Sequence, residues 1–149
     1  MRKILLSLLL IFLLVGCHSN EPTFRDTQGH TIKFSQFRGK WVILNYWAKW
    51  CHSCQSEIAE FNAFYRKYQD KIVVIGVSYD ILPEPELKHV IQDFKIEYPI
   101  LMQNPADYLQ IDAINFVPTT IIINPRGRVV QQLAGPQTVR SLSEATHVE

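Results

Sequence analysis

The run Ile72-Val73-Val74-Ile75-Gly76-Val77 is apolar without interruption and rich in β-branched residues. That is the pattern of a strand covered on both faces, and it constrains the fold more than any other stretch. A second apolar run, Trp41-Val42-Ile43-Leu44-Asn45-Tyr46, precedes it. Between the two lies a helical pattern from Cys51 or His52 to Gln69, with Ile58, Phe61, Phe64/Tyr65 and Tyr68 recurring at three and four. Strand, helix and strand in this order belong to a sheet with helices packed on it.

The flanking segments complete a sheet. Thr23 to Lys33 reads as a hairpin, with Phe24 and Ile32 either side of the turn Asp26-Thr27-Gln28-Gly29. Phe34 to Phe37 is a short helical piece. Ser78 to Pro85 reads as a loop, and Glu86 to Ile96 as a second helix carrying Leu87, Val90, Ile91 and Phe94 on one face. Tyr98 to Met102 is a short extended piece, and Ala106 to Ile111 one helical turn or two. Thr119 to Ile123 and Arg128 to Leu133 pair across Asn124-Pro125-Arg126-Gly127, and Thr138 to His147 forms a terminal helix. The expected class is α/β, a central mixed sheet with helices on both faces, an N-terminal hairpin and an inserted helix.

The first sixteen residues are of another kind. Arg2 and Lys3 precede Ile4 to Val15, apolar except for Ser7. Twelve residues rise about 18 Å as a helix, short of a hydrocarbon core of about 30 Å. This is the form of a secretory signal. The end, Leu14-Val15-Gly16-Cys17, resembles a bacterial lipobox, in which cleavage leaves an N-terminal cysteine that carries lipid. The expected divisions are residues 1–16 as signal peptide, 17–22 as lipidated Cys17 and tether, and 23–149 as the folded domain. The alternative is an uncleaved anchor with Cys17 a bystander. On the lipobox reading the domain stands on the extracytoplasmic, periplasmic side of a bacterial membrane. The formal net charge of +1, with no basic block, gives no reason to expect a nucleic-acid partner.

Cys51 and Cys54 fall where the first strand hands over to its helix. The unpaired N–H groups and positive dipole end of a helix N-terminus stabilise a thiolate, the species that attacks disulfides. A loop this small gains little from cross-linking, so a structural staple explains the pair poorly. Two cysteines supply half of a tetrahedral metal site, and no metal or other cofactor is expected. Cys51, first on the helix, is the expected nucleophile, and Cys54, one turn in, the resolving thiol. His52 either favours the Cys51 thiolate or is an exposed helix-start residue of little effect. Glu57 lies three after Cys54 and four before Phe61, on the core-facing stripe. Burial there raises a carboxyl pKa and lets the group exchange a proton with Cys54, unless the side chain swings out to solvent. Glu60 lies on another face and reads as solvated.

Trp47-Ala48-Lys49-Trp50-Cys51-x-x-Cys54 resembles the thioredoxin active-site signature. Val117-Pro118-Thr119-Thr120 resembles the loop where that superfamily keeps a cis-proline beside the cysteines. Arg38 to Trp47 is similar to the lead-in of the membrane-tethered, DsbE-like branch, the TlpA/ResA-type thiol–disulfide oxidoreductases. The resemblance covers about residues 22 to 140. It implies a thioredoxin-like fold, a redox-active Cys51–Cys54 pair, a role for Glu57 at the offset where the branch carries a glutamate, and a cis bond before Pro118. That bond would turn the Val117 backbone toward the cysteines to pair with a substrate strand. Trp47 and Trp50 are expected to form an apolar shelf around Cys51, although packing alone would explain Trp47 equally well, with Trp50, Val117 and Pro118 contacting substrate.

The resemblance further implies a protein-disulfide reductase serving cytochrome c maturation or copper-site assembly, re-reduced by a membrane thiol–disulfide donor, and a monomer. Two alternatives stand beside it. One reverses the direction, making an oxidase or isomerase. The other is a copper-binding assembly factor, but such factors usually space their cysteines by three residues, and His30, His89 and His147 lie in no ligand context. A peroxidase of the related peroxiredoxin type wants threonine where Ala48 stands.

Overall fold

The computed structural model describes residues 21–148. The expected signal peptide and Cys17 lie outside the described residues. Strands β3 (Trp41–Trp47) and β4 (Ile72–Ser78) run parallel, joined by helix α1 (His52–Tyr68). Helix α2 (Glu84–Asp93) follows, then β5 (Ile100–Leu101) beside β4, and the short helix α3 (Ala106–Leu109). Strand β6 (Thr119–Ile123) pairs antiparallel with β3, β7 (Val129–Ala134) closes the sheet, and α4 (Val139–Thr146) ends the chain. The order β5-β4-β3-β6-β7 is the expected mixed sheet, with β3 at its centre.

The N-terminal hairpin pairs β1 (Phe24–Arg25) with β2 (Thr31–Ile32). Its turn is held by Asp26, whose carboxylate accepts from the backbone N–H groups of Gln28 and His30 at 2.9 and 2.8 Å. Gly29 takes the positive φ of 90° that the turn requires. The hairpin then covers the β5 edge: Thr27 N donates to Ile100 O, and Met102 N to Arg25 O. An edge so covered cannot recruit another strand.

Helix α2 starts two residues earlier than expected and stops three earlier. Pro83 is its N-cap and Pro85 sits in the first turn, where a missing N–H costs nothing. The chain leaves the helix through Lys95 at φ 55°. Asn62 of α1, buried, fastens this exit: its Nδ2 donates to Lys95 O and its Oδ1 accepts from Glu97 N. A side-chain amide that matches a turn's free carbonyl and N–H ends a helix whatever the apolar period beyond it.

Alternation along β3 divides the core. Val42, Leu44 and Tyr46 join Ile75, Val77, Ile121 and Ile123 on one face. Ile43 and Trp47 join Ile58, Phe61, Phe64 and the two cysteines on the other, beneath α1. The site therefore sits on the second face, at the end of the sheet where β3 and β4 finish and β6 begins, because Trp47 pairs with Ser78 and Tyr46 with Thr119.

Candidate active site

Helix α1 begins at the cysteines because Cys51 caps it. Cys51 has extended backbone, and its Sγ accepts from Cys54 N at 3.2 Å. A sulfur thus stands where a serine or aspartate oxygen usually satisfies the first free N–H groups. The two sulfurs are bonded, with Cα atoms 5.3 Å apart. Cys54 is fully buried and Cys51 retains 5% of its surface. The order of exposure matches an attacking first cysteine and a sheltered second one.

One turn into α1, Glu57 points inward and is 2% exposed. Both carboxylate oxygens accept. Asn45 Nδ2 reaches Oε1 at 2.7 Å, and Gln137 N reaches Oε2 at 2.9 Å. Burial raises its pKa to about 7, against these two bonds, which favour the charged form. Asn45 is itself fully buried on β3, and its Oδ1 accepts from Tyr98 Oη at 2.9 Å. Two buried polar atoms lack partners among the described residues, Trp47 Nε1 and Thr120 Oγ1.

The Val117–Pro118 bond is cis. Pro118 is buried and Val117 half-buried, packed against the cluster that holds the cysteines. Pro118 O accepts from Gly135 N, so the chain from Gly135 to Gln137 is led past the cis bond to Glu57.

The two tryptophans do not form one shelf. Trp47 is wholly buried against Phe94, so it is core. Trp50 is 65% exposed, and its Nε1 donates to Asp80 Oδ1 at 2.8 Å. Asp80 Oδ2 also accepts from Lys49 N at 2.9 Å, and Lys49 Nζ pairs with Glu86 at 2.6 Å. The loop after β4 thus pins the residues just before Cys51. His52 is exposed. Among the described residues, no group of three or more His, Cys, Asp or Glu side chains converges on one point.

Asn45, Tyr98, Asp80 and Glu60 escaped the sequence reading. Asn45 had a signal: it is the one polar residue in the run Trp41 to Trp47. Glu60 is not merely solvated, since its Oε2 accepts from Val139 N at 2.8 Å. It completes the N-terminus of α4, whose cap Thr138 already accepts from Ser141 N.

The chain is similar to known proteins in sequence and in fold. The ResA thiol–disulfide oxidoreductase of Bacillus thuringiensis is 28% identical over 131 residues, 87% of this chain and 75% of that one. StoA of Bacillus subtilis superposes with a TM-score of 0.70 at 23% identity, covering 84% of this chain and 95% of that one. The pneumococcal exposed lipoprotein thioredoxin of Streptococcus pneumoniae gives 0.73 at 21% identity, covering 85% and 98%. These two likenesses establish the thioredoxin-like fold. The model of the AhpC/TSA family matches residues 15–132, most of the sheet and the whole of α1, and the chain belongs to that family.

Proposed function

We propose that this protein is an extracytoplasmic thiol–disulfide oxidoreductase that reduces disulfides in other proteins. The observation that carries the reading is the Cys51–Cys54 pair at the N-terminus of α1 with buried Glu57 one turn behind it. The kinship with ResA supports the chemistry.

The reaction runs in two exchanges. The Cys51 thiolate, held by Cys54 N, attacks one sulfur of a substrate disulfide. A mixed disulfide forms and the other substrate sulfur leaves as a thiolate. Cys54 then gives its proton to the Glu57 carboxylate, three residues on along the same helix face. Its sulfur attacks Cys51 Sγ, closes the Cys51–Cys54 bond and releases the second substrate thiolate. Two electrons pass from the dithiol to the substrate. A membrane thiol–disulfide donor returns them, and Glu57 returns the proton to Cys54.

Exposed apolar groups ring the attacking sulfur's end of the sheet: Trp50, Tyr79, Ile81 and Phe116. They come from three loops that the sheet register brings to one edge. Such a rim suits an extended protein segment, with the Val117 backbone beside Pro118 as its pairing edge. Substrates of the cytochrome c or copper-site assembly type present short cysteine-bearing segments of this form. Lipid on Cys17 would hold the monomer at the membrane; the pneumococcal neighbour is named an exposed lipoprotein thioredoxin.

The reduction potential of the pair tests the direction. Equilibration in glutathione buffers with thiol trapping should give a value at or below roughly −230 mV, toward the thioredoxin end of the scale. A value above roughly −150 mV would place the protein with the oxidants and overturn the reductase reading.

A further inference from the structure

The buried side of β3 carries one polar side chain, Asn45, whose two hydrogen-bond partners lie on other elements of the fold. Asn45 is fully buried, and alternation along β3 aims it at α1, between Ile43 and Trp47. Tyr98, 2% exposed, donates its hydroxyl to Asn45 Oδ1 at 2.9 Å. Asn45 Nδ2 donates to Glu57 Oε1 at 2.7 Å. From the opposite side Gln137 N donates to Oε2 at 2.9 Å.

Every one of these bonds points its hydrogen toward the carboxylate. A buried tyrosine hydroxyl must find an acceptor, and Asn45 Oδ1 is the acceptor it has. That fixes which end of the amide faces Glu57. With the oxygen turned to Tyr98, the two amide hydrogens are left for the carboxylate side. Bonds in such a chain polarise one another, so the tyrosine strengthens the donor two groups away. Gly76 makes the approach possible. It is the β4 partner of Asn45, and a Cβ there would overlap Ile100 and press on Tyr98 Cε2 at 3.1 Å.

We propose that Tyr98, acting through Asn45, is a positioning residue of the thiol–disulfide site: it holds the amide as a donor and so keeps Glu57 in the charged form that accepts the Cys54 proton. The proposal rests on the proton-accepting role given to Glu57 above. The ionisable groups around Glu57 are Cys51 and Cys54 on its own helix, Glu60 one turn on and bonded to the start of α4, and Tyr98 ahead of β5. Strands β3 and β6 contribute only the neutral Asn45 and its register partner Thr120. Burial holds the Tyr98 hydroxyl far above its usual range, so it stays a donor throughout the working pH.

The test is the pH profile of disulfide exchange by the full chain, with glutathione disulfide as the probe, for wild type, Tyr98→Phe and Glu57→Gln. Tyr98→Phe keeps the ring and deletes one hydroxyl. The wild-type midpoint assigned to Glu57 should vanish in Glu57→Gln. In Tyr98→Phe it should persist and move up by a few tenths of a pH unit, lowering the rate at neutral pH about twofold. A midpoint that survives Glu57→Gln overturns the Glu57 role itself. A midpoint lost in Glu57→Gln but unmoved in Tyr98→Phe leaves that role standing and overturns the relay. Should Tyr98→Phe fail to fold, the wild-type Asn45 side-chain amide resonance decides. It should titrate with the Glu57 midpoint, and a flat amide shift across that range overturns the proposal.

Discussion

Strand β3 supplies both halves of the core, and the halves differ in kind. The face carrying Val42, Leu44 and Tyr46 meets Ile75, Val77, Ile121 and Ile123, aliphatic side chains that need only to fit. The face carrying Ile43, Asn45 and Trp47 meets α1 and encloses Glu57, Tyr98, Thr120 and both cysteines. The first face is mostly aliphatic, and its buried phenol, Tyr46, reaches outward to donate to Asn104 Oδ1 at 2.9 Å. The other keeps a carboxylate, an amide and a phenol out of water, and leaves Trp47 Nε1 and Thr120 Oγ1 without partners among the described residues. Buried polar atoms cost stability even when bonded, and more when not. The lesson is that alternation along one central strand gathers the cysteines, Glu57 and their polar partners on one face.

Substitutions should separate the faces cleanly. The largest effect is expected on the chemical side. Cys54→Ala should stop turnover, by about a thousandfold or more, while a mixed disulfide on Cys51 accumulates and is seen by mass spectrometry. Leu44→Ala, on the apolar side, should cost about 2–5 kcal/mol in urea unfolding, yet leave exchange by the folded protein unchanged. Loss of exchange in Leu44→Ala at full folding would break the division.

Glu57→Gln reports on both properties. Folding raises the Glu57 pKa from 4.5 to about 7, so the folded state binds this proton more tightly than the unfolded chain. The stability it contributes is complete below about pH 4.5 and is lost as pH rises to about 7. The loss amounts to about 3 kcal/mol. Unfolding of oxidised wild type across this window should show that decline, and Glu57→Gln should flatten it. Exchange near neutral pH should fall about tenfold to a hundredfold in the same variant. Asp80→Ala should do least. It frees the Trp50 indole and the Lys49 N–H, changing tryptophan fluorescence at a cost of about 1 kcal/mol.

The sequence showed the two faces unequally. Runs of β-branched residues and a helical period between them were enough for β3, α1 and β4, because burial on both sides of a strand leaves a continuous apolar signature. Cys51, Cys54 and Glu57 were legible because they lie within two turns of one helix, where spacing gives direction. The cis bond at Pro118 followed from family resemblance and from no local signal. Asn45 and Tyr98 stand 53 residues apart, and only the sheet brings them together. Asn62 and Asp80 were missed for the same reason: each acts on backbone or indole groups more than 25 residues away.

The Glu57 carboxyl resonance, followed by carbon NMR across pH in the folded protein, tests the central claim most directly. A midpoint near 7 is the expected result and would place the proton exactly where Cys54 needs a partner at neutral pH. A midpoint in the ordinary carboxylate range near 4.5 would mean that Glu57 is already ionised and water-stabilised throughout, and that the polar face of β3 is packing rather than chemistry.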